Sequence, residues 1–334
     1  MAITTNGSYV STANDFLAHW QLCNNALPPA SPLLVRVPDK NTLVSRAQLL
    51  GLRDALVTQQ GVVQSRLADQ QLAQGSILTA KTGLLAQFNQ LTTRLDANFR
   101  NTNEYRLRPY APNLGAGQGV FSEAIGEAMT CWDKVNASVP PAGVTLPLTL
   151  PDGTTRGSFA STVSTLQFLY ADEKLKAATV TLEQGKRNDI QVDIYEVLKA
   201  YREKVPDVME AFPLLVESMP RLTPLPGHTP AAVNASAVFE APNAAKVGYD
   251  ASTDALLHSY QLRGNVGDEF SDEDAIVIAT NAPNAPREFV TPFGLGLPGA
   301  RVALKVYVIL TTGNEAGSGA LFVTRPALAE PLAA

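Results

Sequence analysis

The sequence has few of the residues from which most active sites are built. Three histidines, His19, His228 and His258, lie far apart along the chain, and none has a metal-ligand spacing such as His-x-x-x-His. Two cysteines, Cys23 and Cys131, make neither a disulfide framework nor a metal site. No apolar run approaches the ~18 residues that a membrane-spanning helix needs, so membrane insertion is not expected. Charge is scarce as well. Asp, Glu, Lys and Arg make up 17% of the 334 residues against 45% apolar ones, where a quarter charged is usual. A surface so rich in Ala, Thr, Ser, Asn and Gln fits one that packs against copies of itself. The net charge of −5 offers no general attraction to nucleic acid or to an anionic membrane. The densest basic stretch, Arg100, Arg106 and Arg108 with Glu104 among them, reads as a solvated loop. The opening residues carry no basic region followed by an apolar one, so no secretory signal is read there. The expected location is cytoplasmic by default, unless a signal-independent route exports the chain. The Asn-x-Ser patterns at Asn6, Asn136 and Asn234 therefore carry little weight.

What is present is a repeat. Trp20, Asn24 and Pro28-Pro29-Ala30 recur 112 residues on as Trp132, Asn136 and Pro140-Pro141-Ala142. Pro38-Asp39 recurs as Pro151-Asp152, and Leu72-Ala-Gln-Gly75 as Leu182-Glu-Gln-Gly185. Each copy predicts a short amphipathic helix (about 12–26 and 120–137), a Pro-Pro stop, a strand-like stretch (33–37 and 145–150), a Pro-Asp turn and a long helix. Leu49, Leu52, Leu56, Val63, Leu67, Ile77, Leu84, Phe88, Leu91 and Leu95 recur near a 3.5-residue period, as in a coiled coil. Phe159, Val163, Leu166, Tyr170, Ala177, Val180, Ile194, Leu198 and Tyr201 follow the same spacing less cleanly. Gly51, Gly61, Gly75 and Gly83 each cost about 1 kcal/mol relative to Ala inside a helix. A break near Gly75 and Gly185 is the alternative to continuous helices. The expected fold is multidomain α plus β: an antiparallel helical rod built from a duplication (1–112 and 113–220), closed by a helix near 206–218, then a Pro-rich linker (221–230), a β-sandwich (231–326) and a tail (327–334).

Seven short β-like runs separated by turn clusters fill the C-terminal part: 232–240, 246–251, 259–265, 275–279, 288–291, 301–311 and 320–324. There Lys246-Val-Gly-Tyr249, Tyr260-Gln-Leu-Arg263 and the hairpin from Val306-Tyr-Val-Ile-Leu310 to Leu321-Phe-Val-Thr324 resemble the second, third and final strands of the fibronectin type III family. Tyr249 stands where that family usually carries a core Trp, and the usual tyrosine near the start of the sixth strand is absent at Arg301-Val302. The resemblance implies binding, spacing or assembly rather than catalysis.

The remaining motifs point the same way. Gly115-Ala-Gly117-Gln-Gly119 resembles a phosphate loop but has no preceding strand and no following lysine; it reads as a hinge. The acidic run Asp268-Glu269-Phe-Ser-Asp272-Glu273-Asp274 reads as a solvated loop, with Ca²⁺ binding as the alternative, although it lacks the EF-hand pattern. Glu123 and Glu127 are helix neighbours with no cleft implied. Trp20 and Trp132 read as core anchors, with exposed assembly contacts as the alternative. No catalytic residue, cofactor or metal is expected. The expected function is that of a non-catalytic structural protein assembling with itself into a filament, tube or lattice. The alternative is a discrete binding or adhesion module that meets a protein or glycan through sandwich loops 264–274 or 311–319. An enzyme with an unrecognised site is the third reading. A tip or chaperone-like part of a secretion or injection apparatus overlaps the first two.

Overall fold

In the computed structural model the described residues are Ile3, 8–38, 41–224 and 227–326. Asp39 of the first Pro-Asp turn, Asn6, part of the 221–230 linker and the 327–334 tail lie outside them. The helical part contains α1 (Ser8–Ala26), strands β1 (Val35–Val37) and β2 (Thr42–Val44), α2 (Arg46–Asn98), α3 (Gln118–Asn136), α4 (Arg156–Val208) and the short α5 (Pro213–Glu217). Both long helices have 53 residues. They run through Gly75 and Gly185 without a break, so the alternative of shorter hairpins does not hold. The closing helix expected at 206–218 is divided instead. Pro206 lies inside the last turns of α4, and α5 starts afresh at Pro213.

The 145–150 segment forms no strand, and this corrects the expectation that the two copies match there. From Leu33 to the start of the long helix, copy one is five residues longer, and the extra length makes the β1–β2 hairpin. Copy two uses a tight turn at 150–154. Gly153 takes φ +85 there, a backbone region that glycine enters without steric cost.

The duplication is visible side chain by side chain. Buried Leu49, Leu56, Leu84, Phe88, Leu91, Leu95 and Phe99 of α2 and its end recur 110 residues on as Phe159, Leu166, Ile194, Leu198, Tyr201, Val205 and Met209, all buried. On the short helices, buried Ala13, Phe16, His19, Trp20 and Cys23 recur at 112 as Ile125, Ala128, Cys131, Trp132 and Val135. Each long helix begins with the same kind of cap. The Ser45 backbone N–H donates to Gln48 Oε1 at 2.8 Å, and the Thr155 N–H donates to Ser158 Oγ at 2.9 Å. Such reciprocal side-chain bonds satisfy backbone donors that the first turn leaves without helical partners.

By internal contacts the chain divides into two compact units, 1–68 with 180–334, and 69–179. In the first, α1 packs on the start of α2 and the end of α4, around Trp20, Leu49, Leu56, Ile194, Leu198 and Tyr201. In the second, α3 packs on the end of α2 and the start of α4, around Trp132, Leu84, Phe88, Leu91, Phe159 and Leu166. Within the second unit, Gln70 bonds to Glu173, Gln87 to Thr154 and Gln90 to Asp152. Rising numbers on α2 thus meet falling numbers on α4 and on the turn that leads into it, and the helices run antiparallel.

Both tryptophans are core anchors. The Trp20 Nε1–H donates to the Leu33 carbonyl at 3.1 Å, and the Leu33 N–H donates to Asn24 Oδ1 at 2.9 Å. In copy two the Trp132 Nε1–H donates to the Leu148 carbonyl at 3.1 Å and the Leu148 N–H to Asn136 Oδ1 at 2.7 Å. Trp and Asn four residues apart on one helix face therefore grip both polar groups of a single buried leucine.

The C-terminal part is a sandwich of two antiparallel sheets. One has the order β3 (Ala235–Glu240), β4 (Ala244–Tyr249), β7 (Glu288–Thr291). The other runs β6 (Ile276–Asn281), β5 (Leu257–Val266), β8 (Arg301–Leu310), with β8 paired further to β9 (Glu315–Gly317) and β10 (Leu321–Thr324). Read as A-B-E against C′-C-F-G, with the last strand split in two, this is the Greek-key order of an immunoglobulin-type sandwich. β9 was missing from the sequence reading. At the split, the Ser318 hydroxyl accepts the Val306 N–H at 3.1 Å in place of a strand carbonyl. Tyr249 fills the position expected for a core Trp, with Phe289 stacked 5.2 Å and Tyr260 4.8 Å from its ring.

Trp20→Ala and Trp132→Ala are each expected to cost about 3–5 kcal/mol in chemical denaturation, as large core truncations do. Asn24→Ala and Asn136→Ala are expected to cost about 1–3 kcal/mol each, because the leucine N–H is left buried without an acceptor.

Candidate functional site: a docked sandwich loop and an uncharged helical face

The residues singled out by sequence do not converge. His19 is buried. Its Nε2 lies 2.7 Å from the Leu215 carbonyl, which can only accept, so Nε2 carries a hydrogen, and its Nδ1 lies 2.7 Å from the Tyr201 hydroxyl. The imidazole thereby ties α1 to α4 and α5. The repeat-equivalent positions are Cys131 and Leu91. His228 bonds to Asp254, whose carboxyl is held below its usual range first by the Leu256 N–H and then by His228. His258 is exposed on β5. Neither cysteine is prepared as a nucleophile: burial raises the pKa of Cys23 and pushes Cys131 up to about 11. Among the described residues no group of three or more His, Cys, Asp or Glu could hold a metal ion. No described helix is long and apolar enough to cross a membrane.

Two expected loops are tied down rather than loose. Arg108 forms two bonds to Asp96, at 2.7 and 2.9 Å, and Tyr105 adds a third at 2.8 Å. Arg108, followed by Tyr105, holds the Asp96 carboxyl below the ordinary range. The glycine-rich segment is met by a lysine after all, from α2. Lys81 Nζ donates to the Ala116 carbonyl at 2.8 Å and lies 4.8 Å from the Phe121 ring centre. That ammonium is directed at a protein carbonyl, so the segment acts as a fastening at the start of α3.

The acidic run 268–274 is the clearest departure. It was expected to be solvated, but it joins the sandwich to the helices of its own unit. Asp274 accepts from Arg187 Nη1 at 2.8 Å and from the Gln184 amide at 3.0 Å. Gln64 brackets the same loop, donating to the Asp274 carbonyl at 3.0 Å and accepting the Val266 N–H at 3.2 Å. The Arg187 side chain is 5% exposed and that of Asp274 20%. Asp272 bonds to Tyr307 and pairs with Lys305, while Asp268 pairs with Arg301. Three aspartates thus face three different cations, an arrangement that gathers no oxygen cage for Ca²⁺. Beside the loop, Arg263 is 1% exposed, with its guanidinium 4.1 Å from the Tyr307 ring centre and two bonds to Glu315 at 2.6 and 2.9 Å. A Cβ at Gly317 would come within 2.9 Å of that ring, which explains the glycine. Of the two loops proposed to meet a ligand, 264–274 is already engaged.

The unexpected surface lies in the second unit. From Gln70 to Thr93, α2 contains one charged residue, Lys81, and it is buried. From Gly157 to Ala171, α4 contains none. Yet Leu72, Leu78 and Phe168 are exposed there, Phe168 at 70%, as is Leu175 at 67% just beyond the charged residues 172–174. A solvated helix face ordinarily carries charged or strongly polar residues. The charge-poor composition noted in the sequence is therefore concentrated on one stretch of helix surface.

Comparison with known proteins is confined to the sandwich. No protein-family model and no curated protein matches the chain. Among solved structures, an Fn3-like protein from Clostridium thermocellum is 21% identical, covering 31% of this chain and 100% of its own, with a TM-score of 0.23. The fourth FNIII domain of a human protein is 24% identical over 32% of this chain and 88% of its own, TM-score 0.26. Pectate lyase PelI from Erwinia chrysanthemi is 13% identical over 28% of each chain, TM-score 0.24. The sandwich is fibronectin type III-like. Its strand order decides this, and the matches stop at the fold.

Asp274→Ala is expected to destabilise its unit by about 3–5 kcal/mol, because a buried guanidinium loses its partner. Arg187→Met is expected to cost less, since the 20% exposed carboxylate regains water. Denaturant titration of the two variants checks the order. Acid should weaken the fold as well. Asp96, Asp152, Glu183 and Asp254 all have folded pKa values below their unfolded ones. Their contribution is complete above the ordinary carboxylate range and is lost as pH falls through the lowered values. Thermal melts should shift down between pH 5 and pH 3, a shift that neutralising Asp96→Asn reduces.

Proposed function

We propose that this chain is a non-catalytic structural subunit that assembles with copies of itself, its helices making the contacts and its sandwich fastened to them. One observation carries the reading: the exposed, nearly charge-free surface of α2 and α4 in the 69–179 unit. Water hydrates such a surface poorly, and covering its apolar part gains about 25 cal/mol per Å². Gly75 and Gly83 fit the same picture. A Cβ at either would meet no atom of the described residues within 4 Å, yet each costs about 1 kcal/mol relative to Ala. A closely approaching backbone from outside would account for both. The sandwich adds edge strands, such as the uncharged β6, which are available for further pairing.

The alternative of a discrete adhesion module draws on the same sandwich. It is left with the 311–319 loop, because the 264–274 loop is engaged by Gln64, Gln184 and Arg187.

Negative-stain electron microscopy of the full chain over a concentration series, with light scattering on the same samples, tests the proposal. Filaments, tubes, sheets or a mass that grows with concentration are expected. Discrete monomers at every concentration would overturn it.

A further inference from the structure

The uncharged face of α4 has an internal order that identifies what covers it and in which direction. Within the 69–179 unit, Phe168 and Leu175 are seven residues apart, with Ala171 and Ala178 three residues beyond each, and all four are exposed. Spacing of three and four residues is the pattern of a helix-on-helix seam, so the face fits another helix better than a strand or a small ligand. The residues that pack α4 on α2 in this unit, Phe159, Val163 and Leu166, belong to a different row. The seam is therefore a second one, unpartnered among the described residues of its unit. Of the residues bordering it, Asp172 is already paired with Lys176 at 2.7 Å, which leaves Lys174 as the one exposed charge. A partner that tolerates so bare a seam must itself be nearly uncharged, and this face of a second copy meets that requirement.

We propose that the seam pairs antiparallel with the same seam of a second copy of this chain, a deepening that rests on the self-assembly reading above. The alternation of large and small side chains decides the direction. Parallel helices put like positions together, so a Phe168 or Leu175 layer with two large side chains would alternate with an Ala layer with two small ones. Straight helices at one spacing cannot fill both kinds of layer, and voids or overpacking would result. Antiparallel pairing sets each Phe168 or Leu175 opposite an Ala171 or Ala178 of the second copy. Every layer then has the same width. Such a contact is isologous and closes as a twofold pair, so larger assemblies need a further contact elsewhere.

Analytical ultracentrifugation of the full chain tests this with two variants. Because all four positions are exposed, both variants are expected to keep the wild-type circular dichroism and melting temperature, which serves as the folding control. Phe168→Glu with Leu175→Glu is expected to abolish the dimer step. Ala171→Leu with Ala178→Leu is expected to weaken it at least tenfold, because two large side chains then compete for each layer. Stronger association of the leucine variant would overturn the antiparallel arrangement, since parallel pairing would gain filled layers. Wild-type assembly that the glutamate variant leaves unchanged would overturn the seam while sparing the self-assembly reading. A wild-type chain that stays monomeric would overturn both.

Discussion

Each unit of the helical part depends on one small polar grip inside an apolar core. A tryptophan N–H and an asparagine carbonyl oxygen, one helical turn apart, take the carbonyl and the N–H of one leucine: Leu33 in the first unit and Leu148 in the second. The connecting residue at that point belongs to no helix and no strand in either copy. Its backbone groups therefore have no regular partners, and burying them unpaired would cost about 1–3 kcal/mol each. The grip removes that cost and allows the chain to turn under the short helix into the long one. Trp20 then lies 4.6 Å from the ring of Tyr201 on α4, the long helix of the other copy, and Trp132 lies 5.7 Å from Phe159 on the long helix of its own copy. In the first unit, helix, turn and partner helix meet at one indole.

Much of this was legible because the grip is local. Trp20/Asn24 and Trp132/Asn136 stand four apart in the sequence, and the Pro-Pro stop follows each. The offset of 112 found there describes the short helices, and the offset of 110 between Gly75 and Gly185 describes the long ones. The two-residue difference reflects the unequal connections between them. What sequence could not show is how the long helices share their length between two cores. Leu84 through Phe99 and Ile194 through Met209 are the same stretch of the repeat, yet one serves the core around Trp132 and the other the core around Trp20. Periodicity records which face is buried, and it carries no information about which module buries it. The domain limits drawn at 112 and 220 follow the repeat in sequence, whereas compact packing groups residues otherwise.

The misread loop has a different physical cause. Asp268 to Asp274 is acidic and turn-like, and composition alone assigns such a run to solvent. Its partners Gln64, Gln184 and Arg187 stand 87 to 210 residues away in sequence, on the long helices. A buried Arg on a helix was the usable signal. Arg187 interrupts the apolar spacing between Val180 and Ile194, and an arginine at a seam position requires an acid to meet it. The 145–150 segment failed in the opposite direction: its alternating apolar residues do become buried, at Leu148 and Leu150, but no second strand exists for them to pair with. Alternation predicts burial on one side, and a ladder needs a neighbour.

The two copies also act as controls for each other. Whatever both retain is required by the scaffold: the grip, the helix caps and the arginines Arg46 and Arg156, which reach back from the first residue of each long helix to α1 and α3. Whatever only one retains was free to change. The His19–Tyr201 pair joins the two copies within the first unit, where α5 offers the Leu215 carbonyl, so that polar cluster follows from the extra element. The charge pattern of α4 obeys the same logic. From Gly157 to Ala171 it is bare of charge, whereas charges stand at Asp172, Glu173, Lys174 and Lys176 and recur every few residues from Glu183 to Asp207. One helix with one propensity could have been solvated uniformly along its length. Its stability does not require the bare stretch, since Ser, Thr and Phe are poorer helix formers than the Lys and Glu found further along. A sequence that gives up both propensity and solvation over the same residues fits the self-association proposed above.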